Sequence, residues 1–400
     1  MTNLSLLSAL RHSLVPLLLA PVLGCGASAD PLPAAFAPEH GAKARLAPSI
    51  DVDDDDGIFV SPAGDDDDEG SRDAPVRSFS RAVLIANGRG HRLTLCAGVF
   101  TEPLALTNEN GADAYTVKGG AACQGNSSGP SIVRTTGMPA LEVFAVAGPT
   151  RLSNIVFEHP DAASPGESAV AAHVAFVDAI TFTDVTLRAG RGMDGLAGTT
   201  QLLSPCDLPL DPRLPTHVGL EGLGARVPGR MSTVWTPEPG QDGGLLRFAR
   251  SSRCVEPSVL AGMGGAGGGA SIALLAQVTH VTFVRSTLEA HDSGSGGSGG
   301  AAQAPSCDPL SQKSCEVLDI GGGGGGAGGL SASVLHRQAL FDIDDASKLL
   351  FGKGGAGGKG GLGSRWLNGT AGISGLATTM LSADDFPPEE VVGDDDAPSM

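Results

Sequence analysis

Apolar residues in this chain recur in short, strand-length runs with Gly or Pro between them. Residues 58–60, 93–95, 104–106, 115–117, 141–146 and 152–157 are each too short for a helix and are bounded by turn formers, which predicts a succession of β-strands. One stretch differs: Phe79, Val83 and Ala86 fall at i, i+4 and i+7, the apolar face of a helix. From residue 169 the pattern becomes a degenerate repeat. Residues 169–177, 180–182 and 185–189 lead into a glycine-rich segment. Residues 271–278, 281–283 and 286–290 do the same, and 331–335, 339–341 and 349–351 make a third copy. Each unit is three short strands and a loop. No unit buries its apolar face alone, so the units must stack.

The glycine runs 262–269, 294–300, 321–329 and 352–361 follow the same strand of each unit and so leave the stack at one corner. By composition they read as flexible low-complexity loops, because glycine loses more entropy on ordering than any other residue. Ordered polyglycine-II-type packing between neighbouring loops is the alternative. Residues 196–260 form a Pro-rich insertion on the same side, holding Trp235, and a segment that long is functional or disordered.

With 59 Gly and 27 Pro in 400 residues, a mostly helical protein is excluded. The formal charge of −18 excludes nucleic acid as a partner. Most of that charge sits in Asp51 and Asp53–Asp56, in Asp65–Glu69, and in seven acids between Asp384 and Asp396. It therefore reads as solvation of a linker, a loop and a tail, and not as an acidic groove. Asp51–Gly57 resembles a calcium loop only loosely: the EF-hand spacing wants Gly sixth and Glu twelfth, where this chain has Asp56 and Pro62. Loose Ca²⁺ binding there is the one cofactor the chain suggests, and no metal site is assigned.

Arg11 followed by apolar residues 13–23 has the length of a secretory signal, too short to span a bilayer. It ends in Val22-Leu23-Gly24-Cys25, which resembles the lipobox of bacterial lipoproteins; Leu23 is larger than usual there. The resemblance implies cleavage after Gly24 and acylation of Cys25. It also implies a bacterial cell-envelope address, anchored in the outer membrane and periplasmic or surface-exposed. The organisation is then a signal peptide (1–24), a flexible acidic tether (25–56), a stacked body (57–381) and an acidic disordered tail (382–400).

Residues 57–106 carry a second resemblance. A short strand ends in Ser61-Pro62-Ala63-Gly64. A polar loop, Pro75 and a small helix follow, and a strand leads to Ala97-Gly98-Val99-Phe100-Thr101-Glu102. This is similar to the N-terminal domain-of-unknown-function module of pectin-lyase-like right-handed parallel β-helices, with Phe100 where Tyr is usual. The resemblance implies an all-β, right-handed parallel β-helix with an N-terminal capping helix over its open end and Gly-rich loops on one side. The glycine runs behind a lipobox also resemble glycine-rich surface lipoproteins of soil bacteria.

Apart from Cys25, six cysteines remain for an oxidising compartment. Fifteen pairings are open; sequential pairing, Cys96–Cys123, Cys206–Cys254 and Cys307–Cys315, is the simplest, each pair bracketing a loop. For catalysis, Asp342 and Asp344 are the best pair. On one face of a strand they would be roughly 7 Å apart, within the carboxylate separation of about 6.5–9.5 Å used by inverting glycosidases. Few aromatics are available to stack on sugar, and no complete catalytic set can be assembled. The expected function is thus a non-catalytic surface lipoprotein for adhesion, glycan binding or contact with other envelope components, tethered to the membrane through its lipid. The alternative is a polysaccharide lyase or glycoside hydrolase acting on acidic polysaccharide.

Overall fold

The computed structural model describes residues 57–86, 90–108, 114–123, 128–203, 225, 229–231, 235–241, 259–303, 321–363 and 367–386. The signal, lipobox, tether and Asp51–Asp56 expectations lie outside these residues, as do most of the 196–260 insertion and the tail beyond Phe386.

The described chain is all-β, with one short helix. In order it forms β1 (Ile58–Val60), α1 (Phe79–Ala86), β2 (Arg92–Cys96), β3 (Gly98–Phe100), β4 (Leu104–Thr107), β5 (Thr116–Ala121), β6 (Ser131–Arg134) and β7 (Leu141–Phe144). Then come β8 (Pro149–Ser153), β9 (Ile155–His159), β10 (Ala169–Thr183), β11 (Thr186–Ala189), β12 (Thr200–Leu203), β13 (Gly229–Met231) and β14 (Trp235–Pro237). The last are β15 (Val259–Gly262), β16 (Ser271–Val284), β17 (Thr287–Ala290), β18 (Ser331–Ile343), β19 (Lys348–Leu350) and β20 (Ala377–Ser382).

Two long parallel sheets dominate. A ten-stranded sheet runs β1-β2-β5-β8-β10-β16-β18-β20, joined by β4 and β7, and a six-stranded sheet runs β19-β17-β11-β9-β6-β3. The sequence repeat is the register of the long strands: Ala169 pairs with Ser271 and Ser271 with Ser331, while Phe182 pairs with Phe283 and Phe283 with Ile343. Like residues therefore stack. The Phe182 and Phe283 rings stack with centroids 5.2 Å apart, nearly parallel at 14°. One extra residue in β10 makes a bulge between Val177 and Ile180.

In β11 and β17 burial alternates, so Leu187 and Leu288 point into the main core. The first halves of β16 and β18 are buried on both faces, hence their continuous apolar character. A second cluster, including Ile272, Leu275, Ala332, Leu335, Met231 and Trp235, covers the outer face. Strands change direction at stacked residues of positive φ: Ala145, Phe176, Val278 and Gln338 at one corner, Asn154, Asp184 and Arg285 at another.

The expected capping helix amounts to the eight residues of α1, burying Phe79, Ala82, Val83 and Ala86 against the first strands. Part of the acidic loop, expected to be mere solvation, anchors it. Asp66 Oδ1 accepts from the amides of Arg77 and Ser78, at 2.9 and 2.7 Å, and the Ser78 amide above all holds that carboxyl below its usual range. Glu102 accepts from the Phe79 amide, yet burial keeps its carboxyl above the ordinary value.

The glycine runs are not flexible loops. Six segments lie side by side, and their hydrogen bonds recur every third residue, the period of the polyproline II helix. One line of bonds passes from Gly372 to Gly358, Gly326, Gly297, Ala266 and Leu196, each amide donating to the next carbonyl at 2.8–2.9 Å. A second runs Gly375, Gly355, Gly329, Gly294, Gly269, Met193, and a third Gly369, Gly361, Gly323, Gly300, Met263, Thr199. Successive segments are antiparallel. The entropy argument for disorder fails because each run is one layer of a shared bonded lattice, whose members polarise one another.

Candidate functional site

The two carboxylates singled out for catalysis stand in different surroundings. β18 ends at Ile343, so Asp344 is not on the strand but opens the turn after it. Its carboxylate accepts from the amide and hydroxyl of Ser347 and from the Arg285 amide at 3.0–3.1 Å. The Ser347 hydroxyl is the main reason its pKa lies below the carboxylate range. Arg285 in turn donates Nε to Asp184 at 2.8 Å. Asp342 stands on an exposed face, its side chain 68% accessible, with Oδ2 2.8 Å from His280 Nε2. Ile343, between them, is 37% exposed, and among the described residues β20 pairs only with the first half of β18.

A concave site exists elsewhere. A cavity of about 330 Å³ lies between the 137–139 turn, the loop carrying Glu167, the outer face of β10 and the β13–β14 hairpin. Trp235 forms its wall from the hairpin. The indole is 6% exposed, packed on Phe386 at 5.9 Å between ring centroids and tight against Gly229. Phe386 follows the short 3₁₀ turn Ala383–Asp385. The first residues of the segment expected to be a disordered tail are thus ordered and brace the tryptophan.

Two histidines also line the cavity. His173, on β10, is 9% exposed, and burial holds its imidazole below the ordinary pKa despite Glu142 nearby. His159 ends β9, and its Nδ1 sits 2.7 Å from the Pro160 carbonyl oxygen. A carbonyl cannot donate, so Nδ1 carries the proton and Nε2 is an acceptor in the neutral ring. Glu167 Oε2 takes the amides of Ala163 and Ser164 at 3.1 and 2.7 Å, and the Ser164 amide leads in keeping it ionised below its usual range. Two buried atoms of these residues, His173 Nε2 and Trp235 Nε1, have no hydrogen-bond partner.

Sequence reasoning put Trp235 in the insertion but could not dock it, since the hairpin meets β10 across many residues. His173 and His336 do not form a ladder: His173 pairs with Leu275, and His336 with Ala276.

A second depression, about 370 Å³, borders the glycine lattice near Asp161, Asp194 and Asp292. Each of these carboxylates accepts a backbone amide, from Arg191, Ser295 and Lys353 respectively. Among the described residues no group of three or more His, Cys, Asp or Glu side chains is arranged to hold a metal ion. Cys96 and Cys123 form a disulfide, Cα atoms 5.7 Å apart; Cys25, Cys206, Cys254, Cys307 and Cys315 lie outside the described residues. No helix among the described residues is long and apolar enough to cross a membrane. Comparison with protein-family models, curated proteins and solved structures returns no match.

Proposed function

We propose that the chain is a non-catalytic binding protein of the bacterial cell envelope: a right-handed parallel β-helix, tethered by acylated Cys25, that presents a rigid glycine-rich body for adhesion or glycan contact. The alternation of strands between two parallel sheets supports the β-helix, since right-handed crossovers are the rule for parallel strands. The lipobox-like Val22–Cys25 supports the tether.

The observation that carries the non-catalytic reading is the commitment of Asp344. Its carboxylate holds a turn and the Arg285 backbone, so it is not free to act beside Asp342 as a base or nucleophile. The corner of the coil where loops leave is given over to the bonded glycine lattice.

The test is turnover of uronic-acid polymers with and without Ca²⁺, with cell-envelope binding measured in parallel. No cleavage together with retained binding in Asp342→Asn and Asp344→Asn is expected. Cleavage abolished by either substitution overturns the proposal. Fractionation of Cys25→Ala tests the anchor: wild type should follow the membranes and the variant should not.

A further inference from the structure

We propose that the C-terminal end of the stacked sheets is a docking surface for a second copy of this chain, the two copies meeting end to end about a two-fold axis. Both long sheets stop at this end with bare edges. β20 pairs with Ser331–His336 of β18 and closes the ten-stranded sheet, while Ala339–Ile343 of β18 pair only with β16 among the described residues. β19 closes the six-stranded sheet and pairs only with β17. Ala339, Phe341 and Leu349 pack against the main core and are only partly buried here. Beside them Leu340 is 69% exposed, Leu350 46% and Phe351 45%. Unpaired strand edges beside apolar side chains are a template for pairing with another chain, and native proteins cover them. At the opposite end α1 covers the first strands.

Three observations select a second copy as the occupant. First, the end is stepped. β20 and the glycine-rich segment before it, whose Gly369, Gly372 and Gly375 bond back to Gly361, Gly358 and Gly355, stand one strand spacing, about 4.8 Å, above β19 and the second half of β18. A step of one strand is its own complement: a two-fold axis along it sets the raised side of each copy on the lowered side of the other. The raised side is apolar as well, with Ile373 and Leu376 exposed. Second, the exposed charges on the lowered side are mixed, Asp342 and Asp345 with Lys348 and Lys353, so like ends meet without a field of one sign. Third, the rest of the chain is poor cover. Phe386 leads away from the core to Trp235 on the outer face. Residues 387–400 hold three prolines and five acids around one apolar pair, Val391–Val392, and proline lacks the N–H that edge pairing needs. Because α1 blocks the opposite end, association closes at two copies and does not grow into a filament.

Sedimentation velocity of the full, unacylated chain across the micromolar range tests this, and the wild-type result does not depend on any variant folding. A concentration-dependent rise from monomer to dimer, and no further, is expected. Leu340→Lys on the lowered side and Leu376→Lys on the raised side, both at exposed positions, should each weaken the dimer by about tenfold or more. Leu84→Lys, exposed on α1 at the other end, should leave it unchanged. Hydrogen exchange locates the contact: the amides of residues 339–343 and 348–350 should slow as the dimer forms and stay fast in Leu340→Lys. A monomer at every concentration, a dimer indifferent to both Leu340→Lys and Leu376→Lys, or a dimer weakened equally by Leu84→Lys overturns the proposal. So does a monomer in which the 339–343 amides are already slow, which would mean that residues 387–400 cover the edge.

Discussion

The amide of Gly326 donates to the carbonyl oxygen of Gly297 at 2.9 Å, and a Cβ placed on Gly326 would lie 2.1 Å from the carbonyl oxygen of Ala266. The obstacle is backbone, and it is pinned: the Gly297 amide bonds that same Ala266 oxygen, and the Ala266 amide bonds Leu196. Gly326→Ala should therefore destabilise the protein by about 3 kcal/mol, the upper end for an overpacked site. Ala356 lies in the same lattice at an outward, exposed position, and Ala356→Ser should stay within about 0.5 kcal/mol of wild type. Urea midpoints at constant m-value measure both. Equal effects at the two positions would contradict the lattice.

Acid should act in two steps. Burial holds His173 and His336 below the ordinary imidazole pKa in the folded state. The unfolded chain therefore takes up these protons first, at about pH 6.5. Their contribution is full above that pH and is lost as pH falls through the folded values. Asp66, Glu167 and Asp344, held low by hydrogen bonds, add stability that is present above about pH 4 and lost in stronger acid. Glu102 is raised and opposes this second step. Melting temperatures across this range should show both, and the double variant His173→Phe, His336→Phe should flatten the upper one. An unchanged upper slope in that variant refutes the assignment.

Val278 takes φ of 46° while 43% exposed. A β-branched residue in this region is strained, at a cost of about 1–3 kcal/mol. Val278→Asn should raise stability by about 1 kcal/mol, read as a higher melting temperature at pH 7.5. A lower one would mean that Val278 contributes packing that outweighs its backbone strain.

Reduction of Cys96–Cys123 frees a loop with a sequence separation of 27. The double variant Cys96→Ala, Cys123→Ala should lose about 2–4 kcal/mol and leave the Trp235 emission unchanged, since the bond lies among the first strands. Loss of the tryptophan signal together with the disulfide would mean that the two regions unfold as one.

Strand runs and the threefold repeat were legible because short apolar segments, alternating where one face is buried and continuous where both are, stand between Gly and Pro, and the register Ala169–Ser271–Ser331 follows the repeat as written. The Cys96–Cys123 pair was legible from its bracketing of a loop. The order of the glycine runs was not, though a signal was present: Lys353, Ala356, Lys359 and Leu362 stand three apart, as do Gly369, Gly372 and Gly375. That period is invisible to templates built for 3.6- and 2-residue repeats. Asp344 misled because alternation was extended past the strand end, into a turn set by Ser347. The Trp235 cavity depends on contacts between residues far apart in the chain, such as Trp235 with Phe386, which spacing does not encode.

The bonded lattice also sets a rule for how the glycine segments can change length. Each line of bonds meets a segment at every third residue, so adding or removing one residue turns each later side chain inward, onto a neighbouring carbonyl. Adding or removing three slides the segment by about 9 Å and restores the phase. Length variants that survive should therefore differ by whole triplets of residues, nine bases of coding sequence. A frame within the reading frame would then govern these segments, whatever their outward residues become.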